Sequence, residues 1–333
     1  MNQNYQASPN FDQVYNRYKV QVEQRLTSFI IGKKPSSVYE PIRYVLGSGG
    51  KRFRAVLVLL SCEAVGGKMS RALDAAAAIE ILHNFTLVHD DVMDHADLRR
   101  GILTVHKKWD ENVAILSGDE MIAQAYRAIL ETKSHRLEQI LDVYTDALVQ
   151  VCEGQGLDKE FEMRKNITLN DYFQMIAKKT GRAIAAAVEI GALIGGGTMQ
   201  QVAALRKYGE RLGKAFQIKD DMLDIIGDTK EFGKNIGGDI REGKKTYLLL
   251  KALERAKGND RKILQAIISG NGFTKSRIEQ VRNIYERSGA LDSAKREMTR
   301  STNQAQQAII ELPSSRAVSM LIWLSHWLLG RSS

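Results

Sequence analysis

Proline, cysteine and long apolar runs are all scarce in this 333-residue chain. Its four prolines are Pro9, Pro35, Pro41 and Pro313, so no helix-breaking imide interrupts the chain between the last two, which favours an all-helical protein. Two cysteines are too few for a disulfide framework, and they predict reduced thiols and a cytoplasmic setting. No apolar run reaches the length of roughly 18 residues that a transmembrane helix needs. The polar first ten residues predict that the chain carries no secretory signal.

The chain also lacks a continuous basic tract, although it is basic overall. Lysine and arginine number 48 against 39 aspartates and glutamates, which gives a formal net charge of +9. The basic residues occur in short clusters that lie far apart, such as Arg99-Arg100 and Lys244-Lys245. Because no known nucleic-acid motif is present, this distribution favours a pocket for small anions, assembled from several helices, over a nucleic-acid groove.

A helical spacing of apolar residues runs through most of the sequence. The segment 72–87, ALDAAAAIEILHNFTL, is rich in alanine and leucine and shows no strand alternation. The same pattern predicts helices over residues 117–131, 137–152, 169–194, 199–226, 246–257, 261–268 and 275–288. Glycine-rich joints punctuate them, for example at 233–243 and 270–272. We therefore predict an all-α fold and, since no composition shift marks a boundary, a single domain spanning residues 1–333.

Two acidic motifs, DDVMD at 90–94 and DDMLD at 220–224, share one spacing and lie on apolar helical segments. On a helix, Asp90 and Asp94 lie one turn apart on one face, separated by about 6 Å along the axis. Carboxylates placed in this way repel each other, and a hard divalent cation such as Mg²⁺ relieves the repulsion. One copy would fit a solvated acidic face. Two copies on hydrophobic helices predict a metal cluster between facing helices of a bundle.

Several short basic segments are candidates for holding phosphate. GGKRFR places flexible backbone just before Lys51 and Arg54, but it lacks the pattern and the preceding strand of a Walker loop. The other segments are Arg99-Arg100, about one and a half helical turns after the first acidic motif, Lys179-Thr180, and Lys244-Lys245. Each alone is typical of a surface charge. Together with two acidic motifs they predict a site for polyanions bridged by metal.

In this order and spacing, the segments GGKRFR, DDVMD followed by LRRG, KKTG, FQIKDDMLD and GKNIGGDIREGKKTY resemble the trans-isoprenyl diphosphate synthases. The resemblance covers about residues 40–330. It implies a bundle of long antiparallel helices around a deep central cavity, the isoprenoid synthase type I fold, usually as a homodimer. It also implies head-to-tail condensation of isopentenyl diphosphate with an allylic diphosphate (dimethylallyl, geranyl or farnesyl). The expected product is a short all-trans prenyl diphosphate, geranylgeranyl diphosphate first and farnesyl diphosphate second.

The same resemblance assigns roles to residues of this sequence. Mg²⁺, with three ions expected, would bind the allylic diphosphate through Asp90, Asp94 and Asp220, with Asp91, Asp221 and Asp224 in support. Cations for that diphosphate would be Lys179, Lys244 and Arg99. Isopentenyl diphosphate would be held by Lys51, Arg54, His83 and Arg100. The oxygens of Thr180 and Gln217 would lie near the reacting carbons.

Product length would depend on Phe85, with Thr86 next to it, because in the family a bulky residue at this position narrows the tail pocket. Ideal helix geometry puts Phe85 about 140° round the helix from Asp90. Periodicity alone therefore does not place it below the metal site, and the assignment comes from the resemblance.

Other functions remain open: a longer-chain polyprenyl diphosphate synthase, a class I terpene cyclase, and a non-catalytic partner subunit. A cyclase has no need of an isopentenyl site, and a non-catalytic subunit typically loses motif residues that this chain retains. The apolar stretch 317–329, with Trp323 and Trp327, predicts a last helix packed on the bundle. Peripheral contact with a membrane is the second interpretation of that stretch.

Overall fold

The computed structural model describes residues 9–164, 166–226, 237–268 and 275–330. The predicted joint at 270–272 lies outside these ranges, as do residues 233–236 of the joint at 233–243 and of the last motif. Within the ranges the chain is helical almost throughout, which confirms the all-α prediction. No helix among the described residues is long and apolar enough to cross a membrane.

The helices up to residue 130 are α1 (Pro9–Ile30), α2 (Ser36–Gly47), α3 (Phe53–Ala64), α4 (Leu73–Met93), α5 (Val105–Lys108) and α6 (Glu111–Leu130). A 3-10 turn, Met69–Ala72, precedes α4, and strands β1 (Leu98–Arg99) and β2 (Ile102–Leu103) form an antiparallel hairpin after it. The later helices are α7 (Leu137–Met163), α8 (Leu169–Ile176), α9 (Arg182–Gly195), α10 (Met199–Ile226), α11 (Gly238–Arg241), α12 (Tyr247–Arg255), α13 (Gly258–Ile268), α14 (Lys275–Arg287), α15 (Ala290–Ala308) and α16 (Arg316–Gly330). A π-helical turn, Ala177–Gly181, joins α8 to α9.

Each predicted helix is present, with two local differences. The helix predicted over 169–194 is two helices joined by the π-helical turn. The placement of Arg99 and Arg100 on a helical continuation of the first acidic motif is wrong, because α4 ends at Met93 and a hairpin follows. Its two-residue loop, Arg100-Gly101, has φ angles of 53° and 77°, the left-handed pair typical of a type I′ turn.

The centre of the molecule is formed by α3 and α9, which pack on each other. Residues 55–60 of α3 and 184–194 of α9 are buried on every face, as expected for helices that are apolar all round. Each fully buried leucine, valine or isoleucine side chain there stabilises the fold by roughly 1.5–3 kcal/mol. Around this pair lie α4, which packs on α6, and α7 and α10, which pack on α9. This arrangement sets both acidic motifs on helices that surround the centre.

The first and last described helices meet on one side of the bundle. The Tyr15 ring of α1 lies 5.3 Å from the Trp327 ring and 6.4 Å from the Trp323 ring of α16. Trp323 and Leu324 are buried, and α16 packs on α3, in agreement with the first interpretation of the stretch 317–329. The Tyr15 hydroxyl donates to the Lys51 carbonyl at 2.6 Å.

Candidate active site

A cavity of about 640 Å³ opens between α4, α7, α10 and the segment before α12. All but two of the predicted site residues line it. The lining members are Arg54, His83, Phe85, Thr86, Asp90, Asp94, Arg99, Arg100, Lys179, Thr180, Gln217, Asp220, Asp221, Asp224 and Lys244. The two exceptions are Lys51 and Asp91.

The first acidic pair lies at the C-terminal end of α4. Asp94 is the C-cap residue, and its amide donates to the Asp90 carbonyl at 2.8 Å, so the two side chains stay one turn apart. Burial raises the pKa of Asp90, and repulsion from Asp94 adds to the rise, although Lys179 opposes it. Burial and repulsion thus disfavour the ionised form of Asp90, and a nearby cation stabilises that form.

The second acidic motif lies on α10 and also lines the cavity, and two of its aspartates hold neighbouring segments by hydrogen bonds. Asp221 is buried; it accepts hydrogen bonds from the Tyr172 hydroxyl at 2.7 Å and from the Tyr247 amide at 3.1 Å. Burial and the neighbouring Asp239 raise the pKa of Asp221. Asp224 accepts the amides of Gly238 and Asp239, both at 3.1 Å, and so fixes the start of α11. Both residues thus tie α10 to the chain that follows it.

The donor set suits Mg²⁺, because carboxylate oxygens are the ligands that this cation prefers. Asp90, Asp94 and Asp220 present such oxygens to one cavity from two helices. Among the described residues no three histidine, cysteine, aspartate or glutamate side chains are close enough to form a complete metal site. A bound Mg²⁺ would therefore need oxygens from a ligand as well, which is its usual mode with phosphates.

Three lysines stand at the acidic end of the cavity. Lys179 Nζ lies 2.5 Å from Asp158 Oδ2, and Lys159 Nζ lies 2.7 Å from Asp94 Oδ1. Lys244 Nζ lies 2.6 Å from Glu242 and 3.5 Å from Asp94 Oδ2. The ammonium groups neutralise part of the acidic charge, and all three lysines line the same cavity.

Arginines and one histidine form the basic side. Arg54 Nη1 lies 3.3 Å from His83 Nε2. Since a guanidinium has donors and no acceptor, Nε2 must accept and the ring proton of His83 must lie on Nδ1. Burial, together with Arg54 and Arg100, holds the pKa of His83 well below its usual value, so the ring is neutral. Arg100 lies across Gly50, where a Cβ would come within 3.0 Å of the guanidinium.

Neighbouring residues of the same motifs have structural contacts. Arg52, next to Lys51, is buried and pairs with Glu80 at 3.1 Å. Asp91 is also buried, and its Oδ1 lies 2.7 Å from the Arg99 guanidinium, outside the main cavity. The Lys51 residue is exposed, with its carbonyl held by Tyr15. These contacts explain why Lys51 and Asp91 do not line the cavity.

The π-helical turn carries Lys179 and Thr180 into the cavity. It packs directly on the backbone of α7 at Gly154, where a Cβ would come within 2.3 Å of the Lys179 amide nitrogen. A glycine is therefore required at that point of α7 for the turn to approach. π-Helical turns inside α-helices are frequent at functional sites, because the extra residue redirects a side chain.

The cavity lining also includes large apolar side chains: Ile79, Leu82, Phe85, Val151, Met175, Ile176 and Phe216. Phe85 lies in the same cavity as Asp90, which helix periodicity alone did not predict. Its ring packs edge-on against His89 with centroids 5.0 Å apart, and His89 Nε2 lies 3.1 Å from the Ile115 carbonyl. One cavity therefore offers both charged and hydrocarbon-like lining to a ligand.

Sequence reasoning missed several polar residues of the lining, among them Asp158, Lys159, Tyr172 and Asp239. Asp239 stood within the last quoted motif but was not singled out. For Asp158 and Lys159 a signal existed in Gly154, a glycine in an otherwise good helix, where a second segment approaches closely.

Comparisons with known proteins agree with this geometry. The polyprenyl synthetase family model matches residues 35–287. A short chain isoprenyl diphosphate synthase of Methanothermobacter thermautotrophicus is 40% identical over 319 residues, 96% of this chain and 98% of that protein. A geranylgeranyl diphosphate synthase of Sulfolobus acidocaldarius is 38% identical over 281 residues, 83% of this chain and 85% of that protein. The crystal structure of a geranylgeranyl pyrophosphate synthetase from Pyrococcus horikoshii has a TM-score of 0.91 at 35% identity, covering 97% of this chain and 99% of that one. The chain therefore belongs to the polyprenyl synthetase family.

Proposed function

We propose that the protein is a trans-prenyltransferase that condenses isopentenyl diphosphate head-to-tail with an allylic diphosphate. One observation carries this proposal: a single cavity is lined by residues of both acidic motifs, by a set of cations and by large apolar side chains. An allylic diphosphate has the matching form, with a polyanionic head and a hydrocarbon tail. A terpene cyclase is disfavoured because Arg54, His83 and Arg100 supply a second basic subsite that a one-substrate reaction does not need.

At the acidic end, Asp90, Asp94 and Asp220 would hold Mg²⁺ with the allylic diphosphate, with three ions expected. When bound, Mg²⁺ neutralises the diphosphate and makes it a better leaving group. Lys179, Lys244 and Arg99 would contact the same group and stabilise the charge that develops on it. Asp221 and Asp224 support the site indirectly, through the hydrogen bonds that hold α10 to α11 and α12.

Isopentenyl diphosphate would bind on the basic side, between Arg54, Arg100 and His83. The neutral ring of His83 keeps its Nδ1 proton as a donor and orients Arg54 through Nε2. Lys51 would reach the diphosphate from its exposed loop. In this placement the double bond of isopentenyl diphosphate would face the allylic carbon.

Thr180 and Gln217 would stabilise the positive charge on the reacting carbons. The Thr180 hydroxyl donates its proton to Gln217 Oε1 at 2.6 Å, so its oxygen lone pairs remain available to the cavity. Oriented oxygen dipoles stabilise a cation at no reorganisation cost.

The apolar part of the lining would accommodate the growing chain. Phe85 is 5% exposed and packs against His89, which in turn contacts the Ile115 carbonyl of α6, so the ring is held in place. We expect it to stop elongation at geranylgeranyl diphosphate, or one unit earlier at farnesyl diphosphate. Thr86, whose hydroxyl donates to the His83 carbonyl at 2.8 Å, lies beside it.

We also propose a homodimer that forms through α6. Ile115 and Leu116 are 46% and 53% exposed on this helix, and Val149 of α7 is 49% exposed. Apolar side chains at this level of exposure favour burial against a second copy.

The buried apolar side chains of the described residues form two clusters, and α10 contributes to both, with Val202 and Leu205 in the first and Ile218 and Met222 in the second. We therefore propose a single domain.

A product assay tests the function directly. Purified protein would be incubated with labelled isopentenyl diphosphate and dimethylallyl, geranyl or farnesyl diphosphate, with Mg²⁺ or with EDTA. Mg²⁺-dependent products that end at farnesyl or geranylgeranyl length are expected. Longer products would still show prenyl transfer but would overturn the predicted product length. A failure to incorporate isopentenyl diphosphate with any starter would overturn the proposed function.

A further inference from the structure

Lys159 of α7 is a cation of the cavity that belongs to none of the recognised motifs. Its Nζ lies 2.7 Å from Asp94 Oδ1, 2.9 Å from Glu162 Oε1 and 3.3 Å from the Met93 carbonyl. Its side chain is 31% exposed. The ammonium group therefore satisfies both a carboxylate and a carbonyl at the C-terminal end of α4.

Asp94 needs such a partner in the metal-free protein. It caps the C-terminus of α4, where the helix dipole disfavours a negative charge. Burial acts to raise the pKa of Asp94, but Lys244 and Lys159 outweigh burial and lower it. Each carboxylate oxygen faces a lysine, Oδ1 facing Lys159 and Oδ2 facing Lys244 at 3.5 Å.

The two lysines differ in what else they bind. Lys244 lies closest to Glu242, at 2.6 Å, and is also 3.9 Å from Asp239, so Asp94 is a secondary partner for it. Lys159 has Asp94 as its nearest carboxylate, with Glu162 one helical turn away on its own helix as an alternative. Lys159 can thus leave Asp94 and remain paired.

We propose that Lys159 is a placeholder cation that occupies Asp94 Oδ1 until Mg²⁺ replaces it. This inference rests on the proposed function, in which Asp94 is a Mg²⁺ ligand. Because a Mg²⁺ ion bound at Asp94 would repel the ammonium group beside it, binding of the metal favours withdrawal of Lys159 toward Glu162. Without metal, Lys159 neutralises charge at the C-terminal end of α4. Because Mg²⁺ must displace it, the site requires a higher Mg²⁺ concentration than it would without Lys159.

The Lys159→Met variant separates this role from direct binding of diphosphate. Methionine is unbranched like lysine and only one heavy atom shorter, and it removes the charge. We expect the variant to bind Mg²⁺ about two- to fivefold more tightly, the range that a half-exposed ion pair contributes. The measurement is calorimetric titration of Mg²⁺ into protein saturated with dimethylallyl thiolodiphosphate, an unreactive substrate analogue. Unchanged or weaker Mg²⁺ binding would overturn the proposal.

Thermal unfolding supplies a second measurement. In EDTA, Lys159→Met should unfold at a lower temperature than the wild type, because Asp94 has lost a partner. The rise in midpoint on adding Mg²⁺ and analogue should be larger for the variant, and an equal or smaller rise would count against the exchange. Lys159→Arg should behave as the wild type in both measurements.

Lys19→Met is the matched control. Lys19 also has a 31% exposed side chain and one ion pair, with Glu23 at 3.9 Å, and it does not line the cavity. Its loss should leave Mg²⁺ affinity unchanged. If the wild type binds no Mg²⁺ with the analogue, the proposed function fails; if it binds and Lys159→Met binds equally, this inference alone fails.

Discussion

The hydroxyl of Thr180 lies 2.6 Å from Oε1 of Gln217, so the π-helical turn is hydrogen-bonded to the second acidic helix. Gln217 in turn donates from Nε2 to Asp221 at 3.0 Å. A single chain of hydrogen bonds therefore joins the turn, through α10, to the start of α12, where the Tyr247 amide also binds Asp221.

Replacing Thr180 by valine should lower kcat by roughly tenfold, because Gln217 loses a donor inside a half-buried network. The KM values should change less, since no diphosphate contact is removed. Thr180→Ser retains the hydroxyl and should keep most of the activity. Steady-state kinetics on both variants check this expectation, and a fully active valine variant would contradict it.

Gly154 and Gly156 of α7 form a matched pair. A Cβ at Gly154 would meet the Lys179 backbone at 2.3 Å, whereas a Cβ at Gly156 has nothing within 4 Å. Gly154→Ala should therefore displace the π-helical turn and lower both kcat and stability. Gly156→Ala should stabilise the protein by about 0.5–1 kcal/mol, because alanine is the better helix former. Urea unfolding and the prenyltransfer assay measure both effects; equal behaviour of the two variants would refute the close-approach argument.

Phe85→Ala should lengthen the product by at least one isoprene unit, because it opens the apolar part of the cavity. A large buried ring is lost, so stability should fall by about 3–5 kcal/mol. Phe29→Ala is the control, since Phe29 is similarly buried in α1, at 6% exposure, and does not line the cavity. Chromatography of the dephosphorylated products should show longer chains for the Phe85 variant alone. An unchanged product from Phe85→Ala would reject its role in chain length.

Stability should fall on acidification in part because of His83, whose pKa in the folded protein is held well below its usual value by burial and nearby arginines. Above about pH 6.5 both states hold a neutral ring, and below it the unfolded chain takes up a proton that the folded chain excludes. Between pH 7 and pH 5.5 this difference costs about 1 kcal/mol. Over the same interval the free energy of unfolding should fall by about 1 kcal/mol less for His83→Gln than for the wild type. Urea unfolding in EDTA measures this difference. Exposed His135 provides the control variant, His135→Gln, which should follow the wild type; parallel losses for all three proteins would contradict the prediction.

Much of the site was predictable because it is periodic. The one-turn spacing of Asp90 and Asp94 placed both on one face of α4, where the structure has them. Apolar periodicity likewise predicted α4, α6, α7 and α10. Local patterns of this kind depend on residues a few positions apart, which is the range over which helix geometry acts.

What escaped prediction depends on contacts between distant segments or on a change of hydrogen-bond register. Lys159 and Asp94 are 65 residues apart, and no spacing rule connects them. The π-helical turn has the same composition as an ordinary helix, so propensity gives no sign of it. The hairpin turn at Arg100-Gly101 was missed because Arg99 and Arg100 were counted in helical turns from the first acidic motif. An arginine followed by glycine is nevertheless compatible with a type I′ turn.

The contacts made by α1 and α16 have a consequence for how the protein is made. Tyr15 holds the Lys51 carbonyl, and Lys219, beside Asp220, donates to the Leu328 carbonyl near the end of α16. Both helices lie outside the range 35–287 that the family model matches. During translation α16 leaves the ribosome after every motif residue, so the hydrogen bond from Lys219 to Leu328 and the ring contacts between Tyr15 and the two tryptophans form late. A nascent chain that already carries both acidic motifs therefore still lacks the contacts that hold α10 and α1 to α16.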